Sequence, residues 1–504
     1  MARQDSGRRG TDYSSGPGPS SNRRLVEDAP HAKLWLVTPV RSLWLEQALA
    51  AENDAPSLSP ALEGQTRADV CIVGGGYTGL WAALRLKELA PQTDVVLIEA
   101  DVCGGGASGR NGGFVLSWWA KFDSLQKLAG TQEAVRLARA SSEAVVAIGK
   151  FCADHGVDAR FHQDGWLWAA TNRAQVGAWR TTVESLARFG EAPFVSLPRD
   201  EVATRSGSDR HLAGVLEPVA AIVQPAILVR GLRRVAIEHG VRIFERSPMT
   251  GLELGSSPSV KTARGRVRAD RVVLAMNAWA VRFPEIRRRI LVIGSDIVST
   301  DPAPERLEQI GWRDGMSISD SRLLVHYYRT TDDGRIAFGK GGGLMTFGSR
   351  VDQRFDGASP RAALVESYFR SLYPSLKDVP IRSSWTGPID RSRTGLPFFA
   401  RLGGRPDVVY GVGYSGNGVG PSFVGGKILA SMALGREDEW SACALAHSPT
   451  HGFPPEPFRF VGGSMVRAAI ARKERAEDEE RRPNPVDVRL IRLAPPGLVP
   501  MAED

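Results

Sequence analysis

Three glycine-rich runs hold the residues whose types and spacing could do chemistry. The first, Gly74-Gly75-Gly76-Tyr77-Thr78-Gly79, is a G-x-G-x-x-G run between an apolar stretch, ADVCIV, and a helical one, TGLWAALRLKELA, that Pro91 stops. Gly74 permits a tight turn, Gly76 lets the backbone approach a pyrophosphate, and Gly79 lets helix and strand pack closely. Phosphates would then lie at the helix N-terminus, where free N–H groups and the dipole favour negative charge. A second apolar run, Val95 to Ile98, ends in Glu99, where a carboxylate can accept hydrogen bonds from ribose hydroxyls. This strand–helix–strand–acid context separates the run from a chance glycine turn. The acid also disfavours a 2′-phosphate, so NADP is not expected there.

The second run, Gly104 to Gly113, reads GGGASGRNGG. Small residues packed this densely imply a backbone threaded closely along a ligand, with N–H groups and Ser108 as donors. A nicotinamide dinucleotide needs no such loop, whereas a ligand with a longer body, such as FAD, does. The buried-type neighbours Phe114, Val115, Leu116, Trp118 and Trp119 argue against a free surface loop. The third run, Tyr410 to Pro421 (YGVGYSGNGVGP), opens the last helix of the main body. A helix start beside a bound ring offers N–H donors and a positive dipole end, which would stabilise negative charge on a reduced flavin. A plain loop is the alternative.

The runs ADVCIVGGGYTGL, VVLIEA and GGGASGRNGGF resemble the FAD-dependent D-amino-acid oxidase superfamily, which includes glycine and sarcosine oxidases. They are most similar to its gamma-glutamylputrescine oxidase-like branch. The resemblance spans roughly residues 35–440 and continues in Arg271–Trp279, Gly334–Gly339, Trp385-Thr386-Gly387 and the turn at 411–420. It implies FAD phosphate contacts at Gly74, Gly76, Tyr77, Thr78 and Gly79, with ribose at Glu99. It further implies pyrophosphate and flavin contacts at Ala107, Ser108, Asn111, Gly112, Gly113 and Phe114. Met249 matches a position touching adenine, and Gly416, Asn417, Gly418 and Val419 would line the flavin's pyrimidine edge. Some relatives attach flavin through His or Cys; neither stands at the expected positions, so non-covalent FAD is expected.

Amine oxidation by flavin needs little side-chain acid–base chemistry, since desolvation and aromatic walls can present a neutral, aligned amine. The candidates for a catalytic role are therefore few: Tyr328 and Arg329 on a strand that faces the flavin in the family, Trp385 of the W-x-G motif, and Lys340. Alternation puts Tyr327 and Arg329 on one side of that strand and His326 and Tyr328 on the other. Each has a bland alternative: core packing for Tyr328 and Trp385, a structural ion pair for Arg329, a satisfied core histidine for His326. Relatives that promote reaction with oxygen place a lysine over the flavin where this chain has Ala337; Lys340 would reach the site only if the strand bulges. Trp118 and Trp119 wall the pocket or fill a domain seam. In glycine-oxidase-like relatives an arginine four residues after the W-x-G tryptophan pairs with the substrate carboxylate; here that position is Ile389, followed by Asp390. The substrate expected from this is an amine without an α-carboxylate at that locus, with Arg391, Arg393 or Arg329 as alternative carboxylate partners.

The elements that must position these residues fit an α/β (α+β) fold. An FAD-binding Rossmann-like domain is expected from residues 67–120, 210–285 and 385–440, and an antiparallel-sheet substrate domain from 121–209 and 286–384. Helices are expected over 123–154, 173–189 and 360–373, and strands over 159–170, 323–329 and 335–339. Residues 1–30 are Gly/Ser/Pro/Arg-rich and read as disordered; the tail 464–504 reads as a charged helix followed by a Pro-rich extended segment. The chain has 504 residues, 42% hydrophobic and 24% charged, which is globular composition with length for more than one domain. A net charge of +8 comes from arginines interleaved with acids, so nucleic acid is not an expected partner. Four cysteines without a CxxC pair argue against zinc and for a reduced, cytoplasmic setting. No run is long and apolar enough to span a membrane, and the N-terminus lacks a signal-type apolar core. The expected reaction is oxidation of a C–N bond to an imine with oxygen as acceptor. The alternatives are a dehydrogenase passing electrons to a quinone or carrier protein, and a non-catalytic flavin-binding regulator.

Overall fold

Side chains of the strand Gly64–Val73 alternate between two apolar layers. Val70 and Ile72 enter one with Val95 and Leu97, while Cys71 and Val73 enter the other with Val96 and Ile98. A strand covered on both faces reads as a continuous apolar run and belongs inside a parallel sheet. In the computed structural model, which describes residues 41–52, 59–313 and 315–496, that sheet has a parallel centre. Its order is Val408–Val412, Gly265–Leu274, Gly64–Val73, Val95–Ile98 and Arg242–Phe244, with antiparallel Phe398–Arg401 at one edge. Helices Tyr77–Leu89, Val419–Ala433 and Thr131–Asp154 supply the apolar layer on one face.

The second sheet is mostly antiparallel and runs Ile381–Ser392, Ile290–Thr300, Ile336–Lys340, His326–Thr330, Ser317–Asp320, Trp166–Ala170, Ala213–Glu217 and Val195–Leu197. Its far face carries Val298, Tyr328, Ile336 and Phe338 against Val365 and Phe369 of the helix Ala362–Leu372. Its near face carries Ile297, Ala337 and Trp385, which meet Trp44 and Leu45 of the helix Leu43–Ala51. The α/β fold with two sheets is thus the one expected, and the strands expected over 323–329 and 335–339 form at His326–Thr330 and Ile336–Lys340.

Several expectations change. The helix read over 123–154 is two, Phe122–Ala129 and Thr131–Asp154, because Gly130 between them adopts φ 74°. The strand read over 159–170 is regular only at Trp166–Ala170. Ala213–Glu217 and Ile381–Ser392, read within or beside the nucleotide-binding part, pair in the second sheet. In the tail, the helix begins earlier, at Phe458–Asp478, and the Pro-rich segment forms a second one, Pro485–Ile491. Proline at its start and the Asn484 side chain accepting from Val486 N at 2.8 Å explain that second helix. The extension 1–30, the run up to Val40 and residues 497–504 lie outside the described residues. Among the described residues, no helix is long and apolar enough to cross a membrane, and no cluster of His, Cys, Asp and Glu could hold a metal ion.

Candidate active site

A cavity of about 1060 Å³ opens where Gly64–Val73, Gly265–Leu274 and Val408–Val412 end, and runs on to the near face of the second sheet. Ligands of open α/β sheets bind in this crevice, outside the carboxyl ends of the strands. The first glycine run forms its floor. Gly74 holds φ 116°, and a Cβ there would stand 2.4 Å from the Ala275 oxygen; a Cβ on Gly79 would stand 2.0 Å from the Gly74 oxygen. Only glycine lets strand, turn and helix meet this closely, which leaves the start of Tyr77–Leu89 bare toward the cavity. The Glu99 carboxylate is pinned beside it, accepting from Gly75 N at 2.7 Å and Asp101 N at 3.0 Å. Burial pushes that carboxyl up to about 7, against the pull of those two N–H groups.

The second run is a backbone track tied by its own side chains. Asn111 donates from Nδ2 to the Ala107 and Ser108 oxygens and accepts from Gly113 N at 2.8 Å, while Ser108 Oγ accepts from Tyr77 N at 2.9 Å. Gly113, at φ 78°, sits against the Val223 oxygen and beneath the surface. Gly112 and Phe114 face the cavity, and the Phe114 ring meets Tyr327 edge-on at 5.9 Å. Met249 lines the end near Glu99; Gly416, Asn417, Gly418 and Val419 line the opposite wall at the start of Val419–Ala433. Asn417 donates to the Ser117 oxygen at 2.9 Å, but its buried Oδ1 has no partner. A buried acceptor without a donor is a vacancy for a ligand N–H. The bare helix start, the side-chain-free track, the pinned carboxylate and this orphaned acceptor fit FAD lying along the cleft. Of the expected cofactor contacts, Gly74, Gly76, Tyr77, Thr78, Glu99, Ala107, Ser108, Asn111, Gly112, Phe114, Met249 and Gly416 through Val419 line the cavity; Gly79 and Gly113 pack behind it.

The four residues expected to be catalytic do not line the cavity, and each has a physical reason. Tyr328 points to the far face, stacks on Phe338 at 4.9 Å and bonds His211 at 2.5 Å. Arg329 shares the near face with Tyr327 but is spent on the loop, donating to the Gly112 oxygen at 2.8 Å and the Val223 oxygen at 2.7 Å. Trp385 lies under the same loop and donates to the Arg110 oxygen at 2.9 Å. Lys340 pairs in regular register with His326 and Asp296, so no bulge turns it inward; its Nζ meets the Leu324 oxygen and His326 on the far face.

Of the residues around the inner chamber, the sequence reading names Tyr327 and Ile389 and misses Ile293, Ser295, Leu323 and Val325. Tyr327 lines it, its hydroxyl 2.8 Å from Ser295 Oγ, with Ile293, Leu323, Val325 and Ile389 around it. Alternation along His326–Thr330 had separated Tyr327 from Tyr328, but periodicity does not say which side is which. Asp390 and Arg391 line the same cavity. Asp390 accepts from Gly413 N, and burial pushes its carboxyl up to about 7. Behind the chamber, Ser117 Oγ donates to the buried Glu217, whose carboxyl burial also raises to about 7.

The model of the FAD dependent oxidoreductase family matches residues 69–432. Gamma-glutamylputrescine oxidoreductase of Escherichia coli is 30% identical over 389 residues, 77% of this chain and 88% of its own length. Glycine oxidase of Pseudomonas putida is 24% identical over 73% of this chain and 95% of its own. The crystal structure of glycine oxidase from Geobacillus kaustophilus superposes with a TM-score of 0.62 at 20% identity, covering 77% of this chain and all of that one.

Proposed function

The chain belongs to the FAD dependent oxidoreductase family, and from that premise we propose that it oxidises the C–N bond of an amine or amino-acid-like substrate, with oxygen as the final acceptor. The observation that carries this reading is the continuity of one cavity, from the Glu99 end past both glycine runs into the chamber walled by Ile293, Val325, Tyr327 and Ile389. When bound, FAD would supply a hydride acceptor for the carbon that bears the nitrogen, leaving an imine that water would split into carbonyl compound and amine. The chain's own residues bind and orient. Glu99, Ser108 and the bare helix start would hold the cofactor non-covalently, and Asn417, whose buried Oδ1 has no partner among the described residues, would accept from it. The apolar chamber desolvates the amine and so favours its neutral form, whose lone pair must be free. Tyr327 and Ser295 give it a hydroxyl pair to align against.

Oxygen is favoured by the likeness to a glycine oxidase along nearly its whole length. One observation favours the second reading, a dehydrogenase: among the described residues no lysine lines the cavity, and Ala337 stands where relatives that promote reaction with oxygen place one. We take the setting to be cytoplasmic, which four buried free cysteines support. The test is to purify the yellow protein, bleach it anaerobically with a panel of amines and then admit air. Bleaching with reoxidation within seconds supports an oxidase; bleaching with reoxidation over minutes supports the dehydrogenase. Failure of every amine to bleach the flavin would leave the regulator reading standing instead. Acid precipitation should release the flavin into the supernatant.

A further inference from the structure

Arg391 is a cation at the cavity without an anion. Among the described residues its guanidinium meets only two backbone carbonyls, those of Pro495 and Pro496, through Nη2. Nε is buried without a partner, and among the described residues no carboxylate pairs with the guanidinium. Its neighbour Asp390 is turned to Gly413 N instead. Lys121 lies within electrostatic reach, but burial lowers it to about 7, so Arg391 is the cation that stays fully charged there. Burial lowers Arg391 to about 10, so it stays charged at neutral pH. A desolvated cation in this state is costly until a counter-ion arrives. The other arginines considered are occupied or outside: Arg329 holds the glycine loop, and exposed Arg393 donates to the Gly452 oxygen.

Two contacts place Arg391 at the chamber end of the cavity. The tail that supplies Pro495 and Pro496 also packs Ala494 and Leu490 against the buried cluster of Leu324, Ala469, Ile470 and Ile491, which Leu323 of the chamber wall joins as well. Ile389 abuts the third glycine run, its Cδ1 3.5 Å from where a Cβ on Gly416 would stand. Arg391 lies on the same face of that strand, two residues on, or about 7 Å further along.

We propose that Arg391, held in place by the carbonyls of Pro495 and Pro496, is an anion subsite that takes a carboxylate of the substrate, separated by several bonds from the reacting C–N bond. The subsite rests on the amine-oxidising reading above and assigns it a substrate class: amines with a remote carboxylate. It also makes the tail beyond the family segment part of the site, since deleting its last residues frees the guanidinium to collapse elsewhere.

The test uses FAD-loaded protein and three matched amines, 4-aminobutanoate, butan-1-amine and glycine, read by anaerobic bleaching of the flavin. Wild type should be half-saturated by 4-aminobutanoate at a concentration about 10- to 100-fold below that for butan-1-amine, the scale of one charge-assisted contact. Glycine should be the poorer carboxylate. Arg391→Gln should close the gap without loss of bound FAD, Arg391→Lys should keep part of it, and deletion of residues 495–504 should narrow it. Butanoate, which cannot be oxidised, gives an independent reading: it should perturb the flavin spectrum of wild type and not of Arg391→Gln. Equal use of butan-1-amine, preference for glycine, or a gap that survives Arg391→Gln overturns the subsite while amine oxidation stands. If no amine bleaches the flavin, the oxidation reading falls and the butanoate titration alone decides the subsite.

Discussion

Glu217 shows how a single buried carboxyl can be read without knowing the substrate. It is 1% exposed, its partner is the Ser117 hydroxyl, and burial raises it to about 7. A carboxyl raised in the folded state binds its proton more tightly there than in the unfolded chain. Its contribution is therefore fully present below pH about 4.5 and is lost as pH rises through about 7, a change on the order of 3 kcal/mol. Glu217→Gln should melt like wild type at pH 5 and at a higher temperature at pH 8; parallel pH profiles for the two would show that Glu217 is not the group. Such residues were illegible in the sequence, because a lone Glu in AGVLEP carries no spacing that marks it as buried. The cofactor glycines were legible because each answers to a backbone geometry that only glycine meets, as at Gly74 and Gly79. Tyr327 was half legible, since alternation fixed its face relative to Tyr328 but not which face looks at the cavity.

At the scale of elements, two residues expected to do chemistry, Arg329 and Trp385, turn out to brace the second glycine run. Arg329 and Trp385 reach it from the sheet below, and Trp44 packs edge-on against Trp385 at 5.7 Å while its ring carries the Arg329 guanidinium at 5.2 Å. A track of glycines has no side chains with which to hold itself, so its rigidity must come from neighbours. The sequence motifs mark these positions without saying whether they touch the ligand or the loop. Arg329→Met keeps the apolar stem but leaves the Gly112 and Val223 oxygens without a donor, at about 1–3 kcal/mol for each buried group left unsatisfied. The expected result is a folded protein that releases FAD on dilution, measured as a rise in the dissociation constant by fluorescence of the freed flavin. Flavin affinity unchanged in a variant of lower stability would mean that the brace serves only the fold. The helix boundaries follow the same logic of local chemistry. Gly130 splits one expected helix, and Asn484 with Pro485 starts another where proline content had pointed to an extended segment.

Over the whole molecule, the helix Phe458–Asp478 of the tail is fastened to the far face of the second sheet by ion pairs and hydrogen bonds. Arg322 bridges Asp320 on the strand Ser317–Asp320 to Asp478 at the end of Phe458–Asp478, and Asn172 donates to Asp478 at 2.8 Å. Leu324 N donates to Glu474 at 2.9 Å, and Lys340 meets His326 at 2.9 Å beside them. These contacts lie one residue from Leu323 and Val325, which line the chamber, so the docking of the tail fixes the loop that walls the substrate end. Asp320 is held well below the usual carboxylate range by Arg322 and His326, despite full burial. The sign is opposite to that of Glu217: its contribution is present above the unfolded carboxylate pKa and is lost as pH falls. Arg322→Ala removes the bridging cation and leaves Asp320 buried with neutral His326, a loss of about 3–5 kcal/mol by the usual cost of breaking a buried pair. The variant should melt lower and expose the segment after Gly452 to limited proteolysis. It should nonetheless keep its full complement of FAD, because Arg322 bonds to Thr171, Asp320 and Asp478 and to none of the glycine runs. A drop in bound flavin equal to the drop in folded protein at each temperature would instead show that the two sheets unfold as one unit, with the tail as a part of their shared core.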